Sequence, residues 1–335
     1  MSSRPDPSEI EAVLLGGEAR YTREEAVRLA GASNDFTKRV WRALGFAARG
    51  EDAVAFTDGD VEALRVTSEL MKNGVLDEDA AIRMARAMGQ TMARLAEWQT
   101  SILSTLSYEP QDRAADDGHG PLVGLAQELM PDIENLLLYI WRRQLAASIA
   151  RRIAFARSSD DAAPTYFPLA VGFADLVSFT TLSRELDEVE LAEVVEGFES
   201  TATDIVASGG GRVVKTLGDE VLYVANTALQ AAEIALQLAD GVKTHIEVPD
   251  VRVGLAYGPV LALLGDVFGT TVNRSARLTS FARPGTILID EALADQLRDE
   301  PALQVVAVRA RHAHGLGQLQ PYALRRSYEP ADPSV

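Results

Sequence analysis

The sequence predicts an α+β fold: an all-helical N-terminal half, then an antiparallel sheet with covering helices. Three observations carry this. From Tyr21 to about Leu106 the apolar residues recur at helical spacing throughout. From Leu169 onward, short β-branched runs alternate with helical stretches. Within that second half, KTLGDEVLYV (215–224) follows Val213 and Val214 and ends in VLYV, and the Gly218-Asp219 pair separates the two runs, which is the pattern of a β-hairpin.

Each helix of the N-terminal half carries its own start and stop. TREEAVRLAG (22–31) has Thr22 as N-cap, acids in its first turn and Gly31 as the stop. SNDFTKRVWRALG (33–45) repeats the design, with Ser33 as cap, an apolar face of Phe36, Val40, Trp41 and Leu44, and Gly45 as the stop. TDGDVEALRVTSELMKNG (57–74) does so again, and residues 77–103 form one long helix. Tyr108 to Pro121, rich in Asp, Gly and Pro, reads as a loop. After PLVGLAQELM, Pro131 is expected to open a helix with an apolar stripe of Ile133, Leu137, Ile140, Trp141, Leu145, Ile149 and Ile153. A loop from Ser158 to Pro168 ends this half.

The C-terminal half changes character. Strands are expected at Leu169–Phe173, Arg212–Thr216, Glu220–Val224, Val251–Tyr257 and Thr286–Ile289. Helices are expected at Leu186–Ser208, Ala228–Thr244 and Thr271–Ala282. The order β-α-β-β-α-β, then α-β and a short tail, is the split βαβ or ferredoxin-like arrangement, with helices on one face of an antiparallel sheet. In it the first strand lies beside the hairpin of the second and third.

Composition narrows the function. A chain of 335 residues is long enough for two ordinary domains. It has no cysteine, hence no disulfide framework and no thiolate metal site. No apolar run reaches the roughly 18 residues of a membrane span. The polar, acidic start MSSRPDPSEIEAV argues against a secretory signal, so a soluble, cytoplasmic protein is expected. The net charge of −17 argues against nucleic acid as a partner. A phosphorylated substrate would need local cations and metal ions to hold it.

Two carboxylates stand where strands end. Asp175 closes the apolar run in VGFADLVSFT, and Asp219 sits at the hairpin tip. The split βαβ topology lets them converge at one end of the sheet. Hard divalent cations such as Mg²⁺ or Mn²⁺ prefer such oxygen ligands, with phosphate oxygens completing the shell. A single Asp at such a place more often caps a helix or shapes a turn; two in distinctive apolar frames weaken that explanation. Further on, Asn273 and Arg277 are four apart and share one helix face, while Arg274 points elsewhere and is expected to be solvated.

FADLVSFT, KTLGDEVLYV and GDVFGTTVNRSARL, in this order, resemble the class III nucleotidyl cyclases over roughly residues 168–326. That resemblance implies a homodimer with sites at the interface, ATP as substrate, and conversion to 3′,5′-cyclic AMP and pyrophosphate. It implies two divalent metal ions (Mg²⁺ or Mn²⁺) on Asp175 and Asp219 of one copy. The other copy would supply Lys215 and Asp266 to read the purine, Asn273 to contact the ribose and Arg277 to stabilise the transition state. Asp266 can accept from the adenine amine and Lys215 can donate to the neighbouring ring nitrogen; guanine reverses that edge, and guanylyl members carry Glu and a small polar residue instead. Backbone N–H groups from Leu176 to Thr180, with Phe179 and Thr180 beside the substrate, would cradle phosphates. Many members carry a Lys-Gly near the C-terminus that touches the terminal phosphates. Here RHAHGLG stands in its place, with Arg311 or His314 as the substitute.

Two readings compete for residues 1–157. YTREEAVRLAGASNDFTKRVWRALGF resembles the helix-turn-helix layout of MerR-type regulators, with Ser33 to Trp41 as recognition helix and a small basic cluster of Lys38, Arg39 and Arg42. That alternative makes the chain a DNA-binding regulator with a nucleotide-sensing C-terminal half. The arrangement also resembles the regulatory region of actinobacterial class IIIc cyclases. On that reading residues 132–157 form a linker helix that is both dimer contact and transmission element, and a small molecule, a lipid or pH is a candidate input. His119, His245, His312 and His314 are the only histidines, and none lies in the helical region from Tyr21 to Leu106.

Overall fold

The structure, a computed structural model, describes residues 7–48, 50, 52–107, 121–158, 166–177, 179, 183–184, 186–241, 250–263 and 265–327. The chain divides into two compact units, Met1–Ala150 and Arg151–Val335.

In the first unit the helices are α1 (Pro7–Leu14), α2 (Arg23–Ala30), α3 (Asn34–Ala43), α4 (Asp58–Lys72), α5 (Glu78–Ser107) and the larger part of α6 (Pro121–Ser158). Their ends obey the sequence. Thr22 and Glu25 close a capping box on α2, and Gly31 takes the left-handed conformation at its C-terminus. The Ser33 side chain accepts from the Phe36 N–H, and Thr57 forms a second capping box with Asp60. Phe36, Val40 and Ala43 of α3 pack on Ala81, Ile82 and Ala85 of α5. A short bridge between Tyr21 and Phe56 closes the α2–α3 pair against α4, and the Trp41 ring lies 4.6 Å from that of Phe56.

Pro131 does not open a helix. It lies inside the 38-residue α6, which begins at Pro121. Proline is free of cost at a first turn, as at Pro121, and within a helix it removes one hydrogen bond. The helix formers Leu125, Ala126, Gln127, Glu128, Leu129 and Met130 directly before Pro131 outweigh that loss. Trp141, Leu145, Ile149 and Ile153 of its apolar stripe are exposed.

The second unit is built on one mixed sheet. Its strands are β1 (Tyr166–Leu176), β2 (Arg212–Thr216), β3 (Glu220–Ala225), β4 (Val251–Leu263), β5 (Asp266–Phe268), β6 (Ile287–Ile289), β7 (Leu303–Ala307) and β10 (Tyr322–Arg326); β8 (Arg311–Ala313) and β9 (Gly317–Leu319) form a separate hairpin. The order is β2-β3-β1-β4-β6-β10-β7, with β5 beside β4. The helices are α7 (Glu188–Ser208), α8 (Ala228–Gly241), α9 (Thr270–Phe281) and α10 (Glu291–Leu297). As expected, β1 lies between the β2–β3 hairpin and β4, all antiparallel.

Three features depart from the expectation. First, β4 and β6 are parallel, because the α9 crossover returns the chain in the same direction. Second, helices cover both faces. Ala170, Ala174 and Leu176 of β1 face a core with Phe198 of α7, Ile234 of α8 and Leu293 of α10. Phe167, Leu169, Val171 and Phe173 face the opposite way, into a second core that Val272 and Ala276 of α9 join. The near-continuous apolar run of β1 is thus a strand buried on both sides. Third, the tail is not short: β7 and β10 extend the sheet beyond β6. Among the described residues no helix is long and apolar enough to cross a membrane.

Candidate active site

Directly opposed residues in a sheet share a face. Asp175 is opposed by Glu220 on β3 and by Arg252 on β4. Three charged side chains therefore stand in one row across the sheet, on the face that carries α9. Asp219 precedes β3, and its carbonyl accepts the Leu176 N–H at 2.9 Å, which sets it beside Asp175. The topology thus brings the two aspartates together.

Arg252 is the residue that sequence reading missed. Its Nε donates to Asp175 Oδ2 at 2.6 Å, and a second guanidinium nitrogen touches the same oxygen. A lone arginine inside the apolar run VRVGLAY was the available signal. Burial pushes the Asp175 carboxyl above its usual range; Arg252 opposes the rise and the Asp219 charge adds to it. Glu220 is raised for the same reasons, with burial first, then Asp175 and Asp219; Arg252 and Lys215 oppose it.

Among the described residues no three His, Cys, Asp or Glu side chains converge closely enough to hold an ion by themselves. Asp175 and Asp219 supply oxygen donors suited to a hard divalent cation, provided that other oxygens, such as those of a phosphate, complete its shell.

Lys215 and Asp266 are joined. Lys215 Nζ lies 2.6 Å from Asp266 Oδ2, and Asp266 Oδ1 accepts the Val267 N–H at 2.8 Å. Both side chains are only partly buried. A register shift between Val213 and Lys215 re-aims Lys215 on the hairpin. Asp266 opens β5, a three-residue strand too short to carry a periodicity signal. Arg212, at the start of β2, feels Arg151 and Asp266; burial lowers its pKa first, and Arg151 adds to that.

α9 sits unusually close to the sheet. A Cβ at Gly254 would fall 2.2 Å from the Thr279 nitrogen, and one at Gly258 would fall 2.9 Å from Thr271 Oγ1. Three buried hydroxyls fasten the helix. Thr271 donates to the Pro259 carbonyl at 2.9 Å, Ser275 shares its one hydroxyl proton between the Val171 and Gly254 carbonyls at 2.9 and 2.8 Å, and Thr279 donates to Phe173 at 3.3 Å. Asn273 and Arg277 lie on the exposed side, as their spacing implies. Neither side chain has a hydrogen-bond or ion-pair partner among the described residues. Arg274 is not solvated as expected: its Nη1 donates to the buried Asp290 at 2.7 Å. The partner lies sixteen residues away, beyond the reach of a single-helix pattern.

The expected phosphate cradle is narrower than the sequence implied. The N–H of Leu176 is taken by the Asp219 carbonyl and that of Val177 by the Asp250 carbonyl, at 2.9 and 2.8 Å. Phe179 packs partly buried against the α7–α8 core, and Thr180 lies outside the described residues. Arg311 and His314 belong to the β8–β9 hairpin rather than to a loop. Arg311 lies over the Phe281 ring at 5.3 Å, at the end of α9, while His314 is exposed at the turn. Of the other histidines, His312 lies exposed on β8, and His119 and His245 lie outside the described residues.

In the N-terminal unit the basic cluster on α3 is partly neutralised. Arg39 pairs with Glu78 and with Asp79 of α5.

Residues 162–326 match the family model described as the adenylate and guanylate cyclase catalytic domain. An adenylate cyclase of Streptomyces coelicolor is 49% identical over 298 residues, which are 88% of this chain and 76% of the relative. One of Streptomyces griseus is 47% identical over 290 residues, 86% of this chain and 71% of the relative. One of Glutamicibacter nicotianae is 39% identical over 332 residues, 96% of this chain and 82% of the relative.

Proposed function

The chain belongs to the family of adenylate and guanylate cyclases, and on that premise we propose that it converts ATP to 3′,5′-cyclic AMP and pyrophosphate in the cytoplasm. It does so as a homodimer with two divalent metal ions (Mg²⁺ or Mn²⁺) per site, under the control of its N-terminal helices. The observation that carries the substrate is the Lys215–Asp266 pair, a donor and an acceptor held 2.6 Å apart. An ammonium has three donors, so Lys215 can keep Asp266 and still reach a ring nitrogen. Asp266 retains lone pairs for the adenine amine. Guanine would set donor against donor, and unpaired polar groups in such a site are costly.

The reaction is an attack of the ATP 3′-oxygen on the α-phosphorus with pyrophosphate leaving. Asp175 and Asp219 of one copy would hold the metal ions. Such ions, when bound, lower the pKa of the 3′-hydroxyl and neutralise triphosphate charge. Asn273 of the other copy orients the ribose. Arg277 offsets negative charge as it builds on the phosphorus oxygens. That neither side chain has a partner among the described residues supports this assignment, since their donors remain for a ligand. The exposed stripe Trp141, Leu145, Ile149 and Ile153 on α6 is assigned to the second copy, where it joins the input of the N-terminal helices to the site. The DNA-binding alternative is weakened by the engagement of Arg39 with Glu78 and Asp79.

The test is turnover by the purified full-length chain. ATP with Mn²⁺ should give cyclic AMP and pyrophosphate, a chelator should abolish the product, and specific activity should rise with protein concentration as dimers form. Equal turnover of GTP and ATP would contradict the base assignment, and metal-independent turnover would contradict the carboxylate assignment.

A further inference from the structure

Asp290 is 3% exposed and receives three donors. Its Oδ1 accepts the Leu293 N–H at 3.0 Å, which caps α10, and the Tyr257 N–H of β4 at 3.2 Å. Its Oδ2 accepts Arg274 Nη1 at 2.7 Å. Its own N–H donates to the Leu255 carbonyl at 3.0 Å. The carboxylate is thus fixed in the β4–β6–α10 framework independently of α9. Capping a helix takes one oxygen. The other would be a buried, uncompensated charge without Arg274, and such a charge is expensive.

Arg274 follows Asn273 and precedes Arg277 by three residues. Thr271, Ser275 and Thr279 set the depth of α9 on the sheet. They recur every four residues, so they form one line along the helix and restrain rotation about that line weakly. Val272 and Ala276 pack to one side of that line; on the other side Leu278 packs, with Arg274 as the charged, directional anchor. Asn273 and Arg277 have no partner of their own among the described residues, so the roll of α9 decides where they point.

We propose that Arg274 and Asp290 are a positioning pair: they set the roll of α9 and so aim Asn273 and Arg277, without touching the substrate. The pair also keeps a second guanidinium occupied three residues from Arg277, so that Arg274 does not compete with it for phosphate. This rests on the assignment of Asn273 and Arg277 to the nucleotide.

The test uses full-length Arg274→Met, Arg274→Lys and Asp290→Asn chains, with folding checked by circular dichroism. Arg274→Met should lose about tenfold to a hundredfold in kcat, the scale of a small misplacement of a reacting group. Its KM for ATP should stay within about threefold, since ground-state binding is little changed. Arg274→Lys should recover part of the loss because the charge remains. Asp290→Asn should follow Arg274→Met. Mixing Arg274→Met with Asp175→Ala should restore product, because one copy keeps its carboxylates and the other an intact α9. Mixing it with Arg277→Ala should not. A folded Arg274→Met with wild-type kcat, or equal recovery with either partner, overturns the proposal. If Asp175→Ala mixed with Arg277→Ala gives no product, the shared-site reading fails instead, and the kcat and KM of unmixed Arg274→Met still decide on Arg274.

Discussion

Arg252 of β4 donates from Nε to the Asp175 carboxylate at 2.6 Å, straight across the β1–β4 ladder. A resident guanidinium thus occupies an oxygen that the proposed metal site needs. Replacing it by methionine removes the positive charge that opposes the burial of the Asp175 and Glu220 carboxylates. Arg252→Met should lose roughly 1.5–3 kcal/mol of metal-free stability, the scale of a hydrogen bond to a charged group. It should also gain more in Tm on addition of Mn²⁺ than the wild type does, because no cation has to be displaced. Thermal melts with and without Mn²⁺ check both. A smaller Mn²⁺ effect in the variant would mean that Arg252 assists the ion instead of competing with it.

Glu220 gives a pH signature. Its carboxyl sits above the usual range, so the folded chain holds that proton more tightly than the unfolded chain. The stability it contributes is present in acid and is lost as pH rises from the ordinary carboxylate value through the raised one. Asp175 titrates in the same direction. Without divalent ions, Glu220→Gln should therefore melt a few degrees above wild type near neutral pH. That advantage should vanish near about pH 4, where the ordinary carboxylate is itself largely protonated. A constant difference across the range would dismiss the titration as its source.

Gly254 is required by contact, since a Cβ there would meet the Thr279 nitrogen at 2.2 Å and the Ser275 carbonyl oxygen at 2.5 Å. Both contacts are helix backbone, which cannot turn aside. Gly254→Ala should cost about 1–3 kcal/mol, the range for overpacking. It should lower kcat more than it raises KM, because α9 is lifted with Asn273 and Arg277. Denaturant melts and steady-state kinetics measure the two effects separately.

The base assignment is open to a direct reversal. Lys215→Ala and Asp266→Ala should each reduce kcat/KM for ATP by about a hundredfold or more, the scale set by an unpaired polar group in a reading site. The ratio of ATP to GTP turnover should narrow in both, measured as product from each nucleotide at limiting concentration. An unchanged ratio would remove the pair from substrate selection.

Much of this was legible in the chain, for identifiable reasons. The caps at Thr22, Ser33 and Thr57 are local chemistry and are read directly. The β1–β3 and β2–β3 pairings follow from a hairpin whose Gly218 takes a positive φ of 69°. Asp175 and Asp219 fall together because topology alone puts their strands side by side. What escaped was long-range or too short to have a period. Arg252 meets Asp175 across 77 residues of sequence, and Arg274 meets Asp290 only after the α9 crossover folds back. β5 has three residues, and the short runs of β7 and β10 are placed by pairing with each other and with the β6 edge. Pro131 misled because proline punctuates a helix in general, while strong helix formers on both sides override it here.

The most direct measurement is complementation between two inactive chains. In the proposed dimer, Asp175→Ala removes a carboxylate from one half-site, and Arg277→Ala removes the cation from the other. Each variant alone should form no cyclic AMP from ATP and Mn²⁺. When the two are mixed and allowed to exchange subunits, half of the dimers are mixed and each has one intact site, so about a quarter of the wild-type activity should return. A mixture as silent as its components would contradict a site shared between two copies.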